Sequence, residues 1–222
     1  MKLSVYLITL NEEDRLGRTL KAASRVADEI VVVDSGSTDR TEEIARQHGA
    51  RFVYNKWKDV SSQKQFGQNA CVNDWVLSLD ADEVLSDALV DEINELKRQS
   101  PDGHNAYRVK IVAMYPGDRK PRFFANYYNL IRLYHRKFAT MPDDLTHDRV
   151  VLGEGCQVQQ LRGPIHHYSY LTLRKIWQKY NQYSSELIET AIATGVSYSK
   201  ARLVVEFPFQ FLRYYIVRGQ IL

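Results

Sequence analysis

The chain has 222 residues, of which 44% are hydrophobic and 26% charged, and its formal net charge is +3. That length can bury one sizeable core with a smaller piece appended, and so mild a charge gives no argument for a nucleic-acid partner. Cys71 and Cys156 are too few for a disulfide framework and have no neighbour at zinc-ligand spacing, so reduced thiols in a cytoplasmic protein are expected.

The opening MKLSVYLITLNEED runs straight from its short apolar stretch into acidic residues without a small-residue cleavage site, and reads as a first strand rather than a signal peptide. That strand covers Leu3 to Leu10. Leu16, Leu20, Ala23 and, less regularly, Val26 then recur at helical spacing. Glu29 to Asp34 is nearly all β-branched, as strands of a parallel sheet buried on both faces tend to be. Asp39, with Glu42 three residues on, predicts a helix start, and Gly49 its end. The tetrapeptide RFVY predicts a short third strand, Gln63 to Asn73 a helix, Trp75 to Asp80 a fourth strand, and Ser86 to Ser100 a helix with Leu89, Ile93 and Leu96 on one face. Strand alternating with helix predicts an α/β fold with right-handed crossovers. Past Pro101 the rhythm breaks: Tyr107 to Met114 and Tyr127 to Tyr134 read as strands, and from Leu171 the chain reads as helical. The organisation expected is a first α/β half over residues 1–100, a second half of the same domain over 101–170, and a helical region over 171–222.

Ligands of open parallel sheets bind beyond the carboxyl ends of the strands. There the first strand delivers Thr9, Asn11 and Glu12, the second Asp34, Ser35, Gly36 and Ser37, and the fourth Asp80 and Asp82. Each group has a plainer reading, since Asn11 and Glu12 could cap a helix, Asp34 could close a turn, and Asp80 with its neighbours could favour a helix N-terminus. Three such groups at successive strand ends are harder to explain that way. In VLSLDADEVL three of the four residues from Asp80 to Glu83 are acidic, and carboxylates so close call for a cation. A hard divalent ion suits, because Mg²⁺ takes one or two protein carboxylates and fills its shell from phosphate and water. No G-x-G-x-x-G follows the first strand, and no Walker lysine loop is present.

TLNEE, VVVDSGSTDRT and LSLDADE, in this order, resemble the family 2 glycosyltransferases of the GT-A fold, over residues 3–100. The later THDRV and GPIHHYSYLTL are similar to the subgroup related to lipopolysaccharide core glucosyltransferases of Gram-negative bacteria. The resemblance implies a Rossmann-like, mostly parallel sheet flanked by helices, with a nucleotide-diphosphate sugar such as UDP-glucose as donor and inversion at the anomeric carbon. It implies Thr9, Asn11, Glu12 and Asp34 around the base and ribose, and Lys64 beside the donor. Asp80 and Asp82 are the DXD pair for Mg²⁺ or Mn²⁺, with Asp82 favoured as the direct ligand. It implies Asp148 as the general base, although the subgroup usually has Glu after this His and a surface pair with Arg149 is the alternative. It implies His167 near the diphosphate, with His166 the lesser candidate and a structural histidine the alternative. The rivals are a nucleotidyltransferase, which would carry a Gly- and Arg-rich loop after the first strand, and a non-catalytic membrane-surface module of the same fold.

The C-terminal KARLVVEFPFQFLRYYIVRGQIL mixes apolar, aromatic and basic residues and is too short and charged to span a bilayer. It predicts an amphipathic extension for an anionic membrane surface, against the alternatives of a buried helix or a dimer contact. The resemblance places a saccharide or glycolipid acceptor at the inner face of the cytoplasmic membrane, with the protein peripheral there.

Overall fold

The computed structural model describes residues 1–122, 125–142, 149–169, 172–195 and 200–213. In chain order the elements are β1 (Leu3–Thr9), α1 (Leu16–Ala23), β2 (Glu29–Asp34), α2 (Thr41–Gln47), β3 (Arg51–Tyr54), α3 (Val60–Ala70), β4 (Trp75–Asp80), β5 (Glu83–Leu85) and α4 (Asp87–Gln99). Then follow β6 (Asn105–Ala113), β7 (Tyr127–His135), β8 (Ala139–Thr140), β9 (Val151–Leu152), β10 (Gln157–Gln160), β11 (Ile165–His167), α5 (Leu173–Thr194) and α6 (Lys200–Phe211).

The chain divides into two compact units. The first, Met1–Val112 with Tyr127–His167, holds a sheet in the order β3-β2-β1-β4-β7-β6-β11-β5, with β10 added beside β6. β3, β2, β1 and β4 run parallel, and β7 is antiparallel to both β4 and β6. The mostly parallel α/β sheet expected from the alternating pattern is therefore present. Both of its faces are covered. Leu3, Val5 and Leu7 of β1 pack in one cluster with Leu16 and Leu20 of α1 and Leu89 and Ile93 of α4. Tyr6, of opposite parity, packs with Val31, Val33 and Val76 in the second cluster. Period-two alternation thus sends one β-branched or leucine side to each layer of helices.

The predicted helix over Gln63 to Asn73 is displaced by three residues. Asp59 caps it at Val60, its carboxylate accepting from the Ser62 N–H at 2.8 Å, and the helix stops at Ala70. This matters for the site because α3 lies close against β1: a Cβ on Gly67 would come within 2.7 Å of the Tyr6 ring. The second unit, Ala113–Asn126 with Tyr168–Leu222, contains α5 and α6. Trp177, Ile188 and Ile192 on α5, and Val204, Val205, Phe209 and Phe211 on α6, are exposed. Among the described residues no helix is long and apolar enough to cross a membrane.

Candidate active site

Register brings the polar strand ends level. Thr9 sits opposite Asp34 across β1 and β2, and Ile8 opposite Asp80 across β1 and β4. Two clusters form along this edge.

The first is a tightly tied loop. The buried Asp34 carboxylate accepts from the Gly36 N–H at 2.8 Å and the Ser37 N–H at 2.7 Å through Oδ1, and from the Thr9 hydroxyl at 2.9 Å through Oδ2. Gly36 has φ +109°, which explains the glycine at that turn. Asn11 stands in the left-handed region at φ +55°, its side-chain oxygen accepting from the Thr38 N–H at 2.9 Å. Thr9, Asn11 and Asp34 are thus gathered at one edge, and their polar atoms shape the loop that rims it.

The second cluster is the acidic turn, and it is matched by cations of the protein itself. Lys64, 1% exposed on α3, puts Nζ 3.0 Å from Asp80 Oδ1. Arg132, buried on β7, sends Nη2 to Asp80 Oδ2 at 3.2 Å and to Glu83 Oε1 at 2.6 Å. Burial pushes the Asp80 carboxyl up, but Lys64 and Arg132 overrule it and hold it below the usual range. Glu83 is raised, because burial there outweighs the pull of Arg132. Its other oxygen accepts from the Asp80 N–H at 3.0 Å, while the Thr19 hydroxyl donates to the Ala81 carbonyl at 2.8 Å, so the turn is pinned from two sides.

Asp82 points elsewhere. Its Oδ2 meets Arg15 Nη1 at 3.2 Å and its Oδ1 lies 3.3 Å from His167 Nε2. Arg15 also grips Glu12 with two bonds of 2.6 and 2.7 Å. Burial leaves the Glu12 carboxyl raised despite Arg15. Burial alone would lower the His167 imidazole, but the hydrogen bond and charge of Asp82, with Glu83 and Asp80 behind it, raise it. His167 arrives by strand pairing: β11 runs antiparallel to β5 and sets His167 opposite Glu83, leaving His166 one step along. A Cβ on Gly163 would collide with the Leu89 backbone, so the approach of β11 to α4 requires glycine there.

Glu12, Lys64, Asp80, Asp82 and His167 come together here, Glu12 through Arg15 rather than with Thr9, Asn11 and Asp34, while Asp148 lies outside the described residues. Sequence reasoning missed Arg15 and Arg132, and gave no role to Glu83. Arg15, three residues after Glu12 at a helix start, carried a local signal. Arg132 carried none, since its partners lie about fifty residues away.

Residues 4–152 match Glycosyl transferase family 2. The chain belongs to this family. The glycosyltransferase is 38% identical over 225 residues to an uncharacterized glycosyltransferase of Rickettsia typhi, covering 98% of this chain and 77% of the relative. It is 30% identical over 226 residues to the lipopolysaccharide core biosynthesis glycosyltransferase LpsC of Rhizobium meliloti, covering 99% of this chain and 82% of that one. The fold is GT-A. The solved structure of glucosyl-3-phosphoglycerate synthase from Mycobacterium tuberculosis with Mg²⁺ and UDP is a partial likeness, at 25% identity and TM-score 0.39, covering 53% of this chain and 45% of that one.

Among the described residues no three His, Cys, Asp or Glu side chains converge as a metal-binding group in this glycosyltransferase. The Asp82–His167 pair still fits a divalent ion that draws its remaining ligands from substrate and water. Adjacent ligands of an octahedral ion with bonds of about 2.1 Å lie roughly 3 Å apart, close to the 3.3 Å between these two atoms.

Proposed function

We propose that the protein is an inverting glycosyltransferase that moves a sugar from a nucleotide-diphosphate donor to a saccharide or glycolipid acceptor of the cell envelope. The observation that carries this reading is the pairing of Asp82 with His167 beside the buried Lys64 and its partly exposed partner Asp80, at the carboxyl ends of β1 and β4. A chain that collects this much buried charge at a sheet edge tolerates a desolvation cost that a purely structural edge would avoid.

Asp82 and His167 would hold Mg²⁺ or Mn²⁺. That ion, when bound, supplies charge neutralisation for the diphosphate leaving group. Lys64 adds a fixed positive charge on the same side, in a site where its ammonium is already desolvated and needs no reorganisation. Arg15 neutralises Asp82 and is the group a cation would displace. Asp80, held by Lys64 and Arg132, orients those cations toward the donor. Thr9, Asn11, Glu12 and Asp34 form the rim that receives the nucleoside. Asp148 removes the acceptor hydroxyl proton as that oxygen attacks the anomeric carbon. The bond from that carbon to the diphosphate oxygen breaks with inversion, and the nucleoside diphosphate leaves with the electron pair.

The exposed apolar residues of α5 and α6 suit a peripheral contact with an anionic membrane, where a glycolipid acceptor would be carried. Val205, Phe209 and Leu212 recur at helical spacing, with Arg213 beside them.

Incubation with a panel of nucleotide sugars and Mg²⁺ or Mn²⁺ tests the reaction class. Nucleoside diphosphate release supports the proposal, pyrophosphate release would make the protein a nucleotidyltransferase, and no release from any donor would favour a non-catalytic module.

A further inference from the structure

A cavity lies beside the acidic turn, reached through Arg132. Within the first unit this cavity of about 370 Å³ is walled by β7, by Arg108 of β6, and by residues 141 and 149–150. That is at the small end of the roughly 300–1,000 Å³ range of small-molecule sites. Three of its lining residues, Arg108, Arg132 and Arg149, are arginines, and among the described residues none of the lining is acidic.

The three arginines are not alike. Arg132 is committed to Asp80 and Glu83, so its charge is already balanced. Arg108 and Arg149 are exposed, and among the described residues neither has a carboxylate partner. A third polar residue also lines this space. Asn129 donates through Nδ2 to Gln160 Oε1 at 2.8 Å, while its buried Oδ1 has no hydrogen-bond partner among the described residues. Tyr127 and Met141 add the apolar surface on which the C–H face of a sugar ring packs.

We infer that this cavity is an acceptor subsite for a sugar bearing an anionic group, phosphate or carboxylate. Arg108 and Arg149 take the anion. Guanidinium forks suit either anion, because both present paired oxygens to parallel N–H donors. Arg132 lines the cavity and also touches Asp80, so one side chain separates the subsite from the proposed donor site. The word acceptor rests on the transferase reading above, whereas the preference for an anionic sugar rests on the cavity alone.

Calorimetric titration of glucose, glucose 6-phosphate and glucuronate tests it, in EDTA so that no metal-held anion contributes. The inference expects at least one of the two charged sugars to bind at least about tenfold more tightly than glucose. The arm that binds tells phosphate from carboxylate. Arg108→Gln and Arg149→Gln, both at exposed positions, should each weaken that binding by about tenfold while leaving the melting temperature unchanged. Charged sugars that bind no better than glucose, or affinities that survive both substitutions, would overturn it. The titration needs neither donor nor metal. Intact charged-sugar binding without donor turnover would therefore sink the transferase reading alone, and intact turnover without such binding would sink this inference alone.

Discussion

Replacing Arg132 by Met strips a guanidinium that reaches both Glu83 and Asp80. Glu83 is the partner at risk: its side chain is 1% exposed and its contact with Arg132 is 2.6 Å. Asp80 keeps Lys64 at 3.0 Å and is 32% exposed. Breaking a buried pair by removing one partner costs about 3–5 kcal/mol, mostly from the charge left behind. With a urea slope of about 2 kcal/mol/M, the unfolding midpoint should fall by roughly 2 M. Glu83→Gln in the same chain removes the stranded charge, so the double variant should recover most of the loss. Burial already raises the Glu83 carboxyl, and losing Arg132 raises it further. A carboxyl raised in the folded state favours folding at low pH, and that contribution disappears as pH climbs from the unfolded value of about 4.5 through the raised one. The deficit of Arg132→Met should therefore be larger at pH 7 than at pH 5. A loss under about 1 kcal/mol, or a double variant as unstable as the sum of the singles, would refute the view that this pair anchors the turn.

Three further outcomes are expected. Asp148→Asn should lower turnover about a hundredfold, the size usual for a lost general base, and steady-state kinetics should show donor affinity unchanged; a defect confined to donor binding would move Asp148 out of the base's role. Asp28→Asn should cost about 1–2 kcal/mol at pH 7 once solvent screening is allowed for, because hydrogen bonds from Lys97, the Leu3 N–H and Lys2 overcome burial and hold the Asp28 carboxyl at about 2. A depressed carboxyl stabilises above its unfolded value of 3.8 and loses that as pH falls toward 2, so urea midpoints of variant and wild type should converge across that window. Deleting residues 203–222 should weaken salt-sensitive co-sedimentation with anionic vesicles while sparing hydrolysis of a soluble donor; binding that survives the deletion would assign the apolar helix face to another contact.

Much of the first unit was legible in the chain because its signals are local. Glu29–Asp34 and Trp75–Asp80 were read to the residue, since a β-branched or apolar run ending in Asp marks both the strand and its polar end. α3 was placed three residues late because Val60, Ser61 and Ser62 look like loop until the Asp59 cap is recognised. β5 and β11 are three residues each, too short to show a period, and they exist because they pair with each other across some eighty residues of chain. The acidic turn announced its need for a cation, and a metal was the reading nearest to hand. Lys64, Arg132, Arg15 and His167 also reach it, from four separate segments. Of these only Lys64 and His167 were named beforehand, through motif resemblance and not through pattern.

The most direct measurement is the affinity of UDP, GDP, ADP and dTDP for the wild type and for Asp82→Asn, each titrated with Mn²⁺ and with EDTA. If Asp82 and His167 form the ion's seat beside Lys64, at least one nucleotide should bind the wild type at least about tenfold more tightly with Mn²⁺, and Asp82→Asn should abolish that gain while leaving the EDTA affinity in place. An equal gain in the variant, or none in the wild type with any nucleotide, would contradict the assignment of the acidic turn as the donor site.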